Sequence, residues 1–208
     1  MTHSAPSSPT VFVVDDDPAV REGLSDLLAS AAIRALCFPS TEAFLAAWQP
    51  HSHGCLLLDI CLPGLTGIDL QEQLNRRAVD IPIIFLTANG DIPTVRKVMK
   101  AGAFEFLTKP FLPQELMVAI QQAFDLHARL QAARRQRDKI ATRYRRLTPR
   151  ELDVLRLVYA GHLNKQVAAE LGLSEITVKL HRRHVMEKMQ ANSLADLVRM
   201  VQSLESAA

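Results

Sequence analysis

The chain has few cysteines and no pairing logic among them. Cys37, Cys55 and Cys61 fall in no Cys-x-x-Cys and no paired His spacing, so neither a disulfide framework nor a zinc site is indicated. Such usage suits a reducing cytoplasm. No stretch approaches the ~20 apolar residues that span a bilayer, and residues 1–9, rich in Ser and Pro, lack both a basic flank and an apolar run. The chain is therefore expected to be neither secreted nor membrane-spanning, with 1–9 disordered. Glycine and proline are missing between Pro113 and Pro149, and no internal repeat of solenoid length is present.

What is present suffices for two small domains or one large one: 208 residues, 48% of them hydrophobic. The net charge of +2 hides an asymmetry, because residues 1–124 carry 8 Lys and Arg against 13 Asp and Glu, whereas 125–208 carry 16 against 9. An acidic ion-binding module fused to a nucleic-acid-binding module has this signature; so does a solvated basic face.

Short apolar runs at 11–14, 35–38, 55–58, 83–86 and 104–107 alternate with helical segments near 18–31, 67–76, 92–101 and from 113 onward. Continuous apolar strands separated by helices predict an α/β fold, a doubly wound five-stranded parallel sheet buried on both faces. It should occupy 10–123. Beyond it, Leu126, Leu130, Ala133, Ile140 and Tyr144 recur at spacings of 3, 4 or 7 among many arginines, which predicts an amphipathic linker helix over 124–147, either solvated or paired with a second copy. From 148 to 208 the pattern is all-α, with four helices near 150–160, 165–171, 176–189 and 194–204. Gly161 and Gly172-Leu173-Ser174 punctuate them, and Thr148 and Ser174 serve as N-caps.

In a parallel sheet, ligands bind at the carboxyl ends of the strands. Asp15 and Asp16 follow the first strand, Asp59 the third, Thr87 the fourth and Lys109 the fifth. Three gathered carboxylates would partly protonate unless a cation held them, and a hard divalent ion such as Mg²⁺ takes oxygen ligands of this kind. Asp59 would then be a nucleophile toward phosphorus, with Mg²⁺ and Lys109 neutralising charge and Thr87 donating its hydroxyl to the acyl phosphate.

Val13-Val14-Asp15-Asp16-Asp17, the run from Leu58-Asp59 through Cys61-Leu62-Pro63-Gly64 to Gly67, Leu86-Thr87-Ala88 and Lys109-Pro110-Phe111 resemble the receiver domains of response regulators over about 10–124. The resemblance implies Asp59 as phosphoacceptor. It also implies Asp16, Asp59 and the Cys61 carbonyl as direct Mg²⁺ ligands, Asp15 as a ligand through water, and Thr87 and Phe106 as switch residues. Cys61-Leu62 stands where the family more often has Met before the Pro, without affecting a main-chain ligand. Phe106 stands for a frequent Tyr, so switching would rest on ring packing.

In the second half, 165–171, the turn Gly172-Leu173 and 174–189 fit a helix-turn-helix. Val167, Ala168, Leu171, Ile176 and Val178 should face the core, and Lys179, His181, Arg182, Arg183 and Lys188 are candidates to face DNA. Leu147-Thr148-Pro149-Arg150-Glu151, Gly161, Asn164-Lys165, Ser174, Thr177-Val178-Lys179, His181-Arg182 and Met186-Glu187-Lys188 resemble the LuxR-type output domain of FixJ/NarL regulators over 147–203. This implies that Lys179 and Arg183 reach the major groove, while Thr177, Leu180, Asn164 and Lys165 contact phosphates or bases nearby. The stripe Leu194, Leu197, Val198 and Val201 resembles a dimerisation face, although periodicity fits an internal core equally. Glu175 is a misfit beside phosphates.

The implied protein is a two-component response regulator acting in the cytoplasm, a phosphoacceptor and not a turnover enzyme. Its implied partners are DNA, a sensor histidine kinase, a second copy of itself once phosphorylated, and RNA polymerase. A Mg²⁺-dependent phosphatase forming the same aspartyl phosphate is a rival, but it would need a second carboxylate two residues after Asp59, where Cys61 stands. A phosphate-independent dimerisation module is the other.

Overall fold

A computed structural model describes residues 8–49, 52–88 and 91–205. The expected disorder of 1–9 therefore falls mostly outside the described residues. The chain divides into two compact units between Gln131 and Ala132.

The first unit carries β1 (Thr10–Val14), α1 (Pro18–Ser30), β2 (Arg34–Phe38), α2 (Thr41–Ala47), β3 (Gly54–Asp59), α3 (Gly67–Arg76), β4 (Ile83–Thr87), α4 (Ile92–Lys100), β5 (Glu105–Thr108) and the start of α5 (Pro113–Tyr144). Its strands are all parallel in the order β2-β1-β3-β4-β5. Central strands β1, β3 and β4 are wholly buried, and their side chains alternate between two cores. Phe12, Val14, Leu56, Leu58, Ile83 and Phe85 meet Phe44 of α2, Leu70 and Leu74 of α3 and Val98 of α4. Val11, Val13, Cys55, Leu57, Ile84 and Leu86 meet Leu24 and Leu28 of α1 and Leu116, Ile120 and Ala123 of α5.

Helix α2 has no counterpart in the sequence reading. Ser40 caps it by accepting from the Ala43 N–H at 3.2 Å, and its buried Phe44 packs edge-on to Phe12 and Phe38 and beside Trp48. Seven residues are too few to show a helical period.

Two glycines fix how closely the backbone approaches itself. At Gly54, where φ is 155°, a Cβ would lie 1.7 Å from the Thr10 carbonyl oxygen; at Gly67 it would lie 2.2 Å from the Asp59 carbonyl oxygen. Gly54 also faces His127, whose Nδ1 is 2.7 Å from the Gly54 carbonyl oxygen and whose ring stacks on His53. Burial pushes His127 below the usual imidazole range.

The second unit holds the end of α5, then α6 (Pro149–Tyr159), α7 (Asn164–Leu171), α8 (Glu175–Met189) and α9 (Leu194–Glu205). Thr148 and Glu151 form a capping box that starts α6. Gly172, left-handed at φ 65°, ends α7, and Ser174 starts α8 by accepting from the Thr177 N–H at 3.1 Å. One core joins Ile140, Leu147, Leu155, Val185, Met189, Leu197 and Val201. A second joins Val154, Val158, Val167, Ala168 and Val178.

Gly54→Ala should destabilise the first unit by about 3 kcal/mol, because the clash is with backbone and cannot be relieved by a rotamer change. Urea denaturation followed by the fluorescence of Trp48, the single tryptophan and part of this unit, reads the loss directly.

Candidate functional site

The pocket follows from strand register. Val14 pairs with Leu58, so Asp15, one residue on, is level with Asp59 at the end of β3; Thr87 pairs with Thr108, which brings Lys109 to the same rim. The strand order reverses between β1 and β3, the point where an open parallel sheet leaves a crevice. Ligand oxygens of Asp15, Asp16 and Asp59 lie within 4.8 Å of one another, with Asp15 and Asp59 buried and Asp16 exposed.

Lys109 joins the group. Its Nζ donates to Asp15 Oδ2 at 2.6 Å and to Asp59 Oδ2 at 2.6 Å. Asp15 is further fixed by the Asp17 N–H at 3.0 Å, and the Arg21 guanidinium donates to its main-chain carbonyl at 2.7 Å. Burial pushes the Asp15 carboxyl above the usual carboxylate range despite the bonds from Lys109 and the Asp17 N–H. Burial also opposes the charge on Lys109, but the two carboxylates outweigh it and hold the ammonium above its usual range. One ammonium against three carboxylates leaves a net negative rim. An all-oxygen donor set of this spacing fits a hard divalent cation such as Mg²⁺.

The remaining pocket residues are distributed around this cluster. Cys61 is exposed beside it, and its N–H donates to Asp59 Oδ1 at 2.9 Å. Thr87 is fully buried at the end of β4, and its carbonyl accepts from the Lys109 N–H at 2.7 Å. Phe106 is half-buried on β5 and packs on the core that contains Phe85 and Val98.

In the second unit the structure sorts the cations that the sequence left together. Lys179 and Arg183 are exposed on α8, with Arg183 Nε donating to Glu187 Oε1 at 2.8 Å. Arg182 instead donates to Asn164 Oδ1 at 2.7 Å and ties the start of α7 to α8, while His181 is half-buried. Lys188 is not a free cation for DNA: it donates to Glu151 Oε2 at 2.7 Å, compensating a carboxylate that is 3% exposed. Burial alone would raise the Glu151 carboxyl, but Lys188 and the Thr148 N–H hold it below the usual range. Lys165 is exposed at the start of α7, Thr177 is half-buried and Leu180 is largely exposed.

One apolar assignment changes, and one left open narrows. Ile176, expected in the core, is 80% exposed, because the buried stripe of α8 is Val178, Val185 and Met189 on the opposite side. Of the stripe on α9 that periodicity leaves open between a dimer face and a core, Leu197 and Val201 are buried in the unit's own interior, so they offer nothing to a partner; Leu194 is exposed and Val198 half-buried. Arg21 and the Glu151–Lys188 pair are the participants the sequence did not reveal. The capping-box spacing marked Glu151, but nothing local signals a partner 37 residues away.

Comparison with known proteins adds the family. Residues 11–121 match the response regulator receiver domain, and residues 145–201 match the bacterial regulatory proteins of the luxR family. Nodulation protein W of Bradyrhizobium diazoefficiens is 47% identical over 194 residues, covering 93% of this chain and 86% of that protein. Transcriptional regulatory protein FixJ of Azorhizobium caulinodans is 38% identical, covering 94% and 92%. The solved structure of response regulator StyR superposes with a TM-score of 0.82 at 49% identity, covering 94% of this chain and 99% of that one.

Lys109→Ala should leave two buried carboxylates uncompensated and cost about 3 kcal/mol of stability. Denaturation without and with millimolar Mg²⁺ checks both this and the fit of the donor set, since the cation should restore part of the loss.

Proposed function

The chain belongs to the response regulators that join a receiver to a LuxR-type DNA-binding domain, and from that premise we propose that phosphorylation of Asp59 controls its binding to DNA. The observation that carries the proposal is the pocket: Asp59 lies at a strand end, its Oδ2 bonded to Lys109 at 2.6 Å, with Asp15 and Asp16 alongside.

Asp15, Asp16, Asp59 and the Cys61 carbonyl are the groups that would hold Mg²⁺. When bound, the ion supplies charge neutralisation at the oxygens of the phosphoryl group. An Asp59 carboxylate oxygen attacks phosphorus as the bond from phosphorus to the donor, a kinase phosphohistidine, breaks. Lys109, already touching Asp59, can pass one of its hydrogen bonds to a phosphoryl oxygen. The Thr87 hydroxyl, buried at the adjacent strand end, can donate to another. A Thr87 hydroxyl turned toward the phosphoryl group would leave room beside it that the Phe106 ring, partly buried on β5, can enter. The altered receiver surface then favours a second copy, so that two DNA-binding units address neighbouring half-sites and engage RNA polymerase.

At the other end, Lys179, Arg183, Thr177, Leu180, Asn164 and Lys165 are the groups that would contact DNA. Their support is placement: Lys179 and Arg183 stand exposed on the second helix of the helix-turn-helix, and Lys165 stands exposed at the start of the first. Of the α9 stripe, Leu194 and Val198 are the members accessible to a second copy. Among the described residues no helix is long and apolar enough to cross a membrane, in keeping with action in the cytoplasm.

Asp59→Asn should abolish acid-labile phosphorylation by acetyl phosphate and Mg²⁺; label persisting in that variant would refute the assignment. Lys179→Ala should weaken duplex binding and lower the slope of log affinity against log salt by about one unit if it meets a phosphate. Superimposable salt titrations would remove Lys179 from the interface.

A further inference from the structure

Helix α8 turns an aliphatic pair outward. Its buried residues Val178, Val185 and Met189 fix the rotation of the helix, and at 3.6 residues per turn the positions opposite are Ile176, Leu180, Arg183 and Glu187, one turn apart, with Lys179 alongside. Ile176 is 80% exposed and Leu180 49% exposed.

The fold gives no reason for this pair. Isoleucine is a poor choice for the exposed first turn of a helix, and capping there is already done by Ser174. One bare aliphatic side chain is ordinary on a protein surface. Two of them one turn apart, on the α8 face that also carries the exposed Lys179 and Arg183, are a surface with a definite chemistry: methyl groups bordered by a lysine and by an arginine that shares its charge with Glu187. Polyanionic duplex is the complementary occupant, in a unit whose half of the chain carries 16 Lys and Arg against 9 Asp and Glu. On the floor of the major groove, the C5 methyl of thymine is the one aliphatic group that a base edge offers.

We propose that Ile176 and Leu180 read thymine methyl groups, so that each half-site preferred by this chain contains two thymines at set positions. Four residues along a helix span about 6 Å, which places the two thymines within about two base steps of each other. Ile176 thereby becomes a specificity-determining residue, while Lys179 and Arg183 anchor the helix. The inference rests on the DNA-binding reading of α8 given above.

The test uses the full chain, phosphorylated with acetyl phosphate and Mg²⁺, to select duplexes from a random pool. Each thymine of a selected half-site is then replaced by deoxyuridine, which removes only the methyl. Two positions should respond, each with binding weakened about fourfold. Ile176→Ala should lose the response at one position and Leu180→Ala at the other, with unchanged thermal unfolding for Ile176→Ala because that side chain lies outside the core. A selected site without a responsive thymine, or responses unaltered in both variants, overturns methyl reading and leaves DNA binding standing. A pool from which no duplex is enriched overturns the DNA-binding reading, and this inference with it.

Discussion

One ammonium between two carboxylates is the interaction on which the first unit's chemistry depends. Lys109 reaches Asp15 and Asp59 at 2.6 Å each, although the three residues arrive on three different strands. Shifting any one strand by a residue would turn the side chain to the opposite face of the sheet, so the pocket exists only in this register. The register in turn is held by the apolar alternation that splits the strands between two cores. Packing thus sets the site, and the site's charge makes demands on packing: buried carboxylates are tolerable only while a cation accompanies them.

The close approach at Gly67 shows how tightly the two are linked. Helix α3 starts against the carbonyl of Asp59 with no room for a Cβ, so the loop from Asp59 to Gly67 has little freedom at its far end. The Gly67 N–H returns to the Ile60 carbonyl at 3.2 Å, and Thr66 with Asp69 closes a capping box on the same turn. The backbone around Cys61 is therefore held from both sides before any ligand arrives.

Much of this was legible in the sequence for a physical reason. Buried parallel strands must be apolar throughout, so they stand out as runs, and a polar residue at the end of a run is conspicuous even where, as for Asp15, Asp59 and Thr87, it is itself buried; Lys109 is marked by the same position. Helix α2 escapes a reading from sequence because its seven residues bury only Thr41 and Phe44, one of them polar, and a single apolar residue has no period. Ile176 was misassigned because its aliphatic character suggested burial, whereas the phase of α8 is set by Val178, Val185 and Met189. Lys188 looked like its neighbours Arg182 and Arg183, and only the fold brings it against Glu151. Composition cannot tell a cation spent inside the protein from one left for a partner.

The pairing of Arg183 with Glu187 at 2.8 Å has a further effect. Both side chains are largely exposed, so the pair is weak, and its effect is to bias which way the guanidinium lies along the helix surface rather than to hold it there.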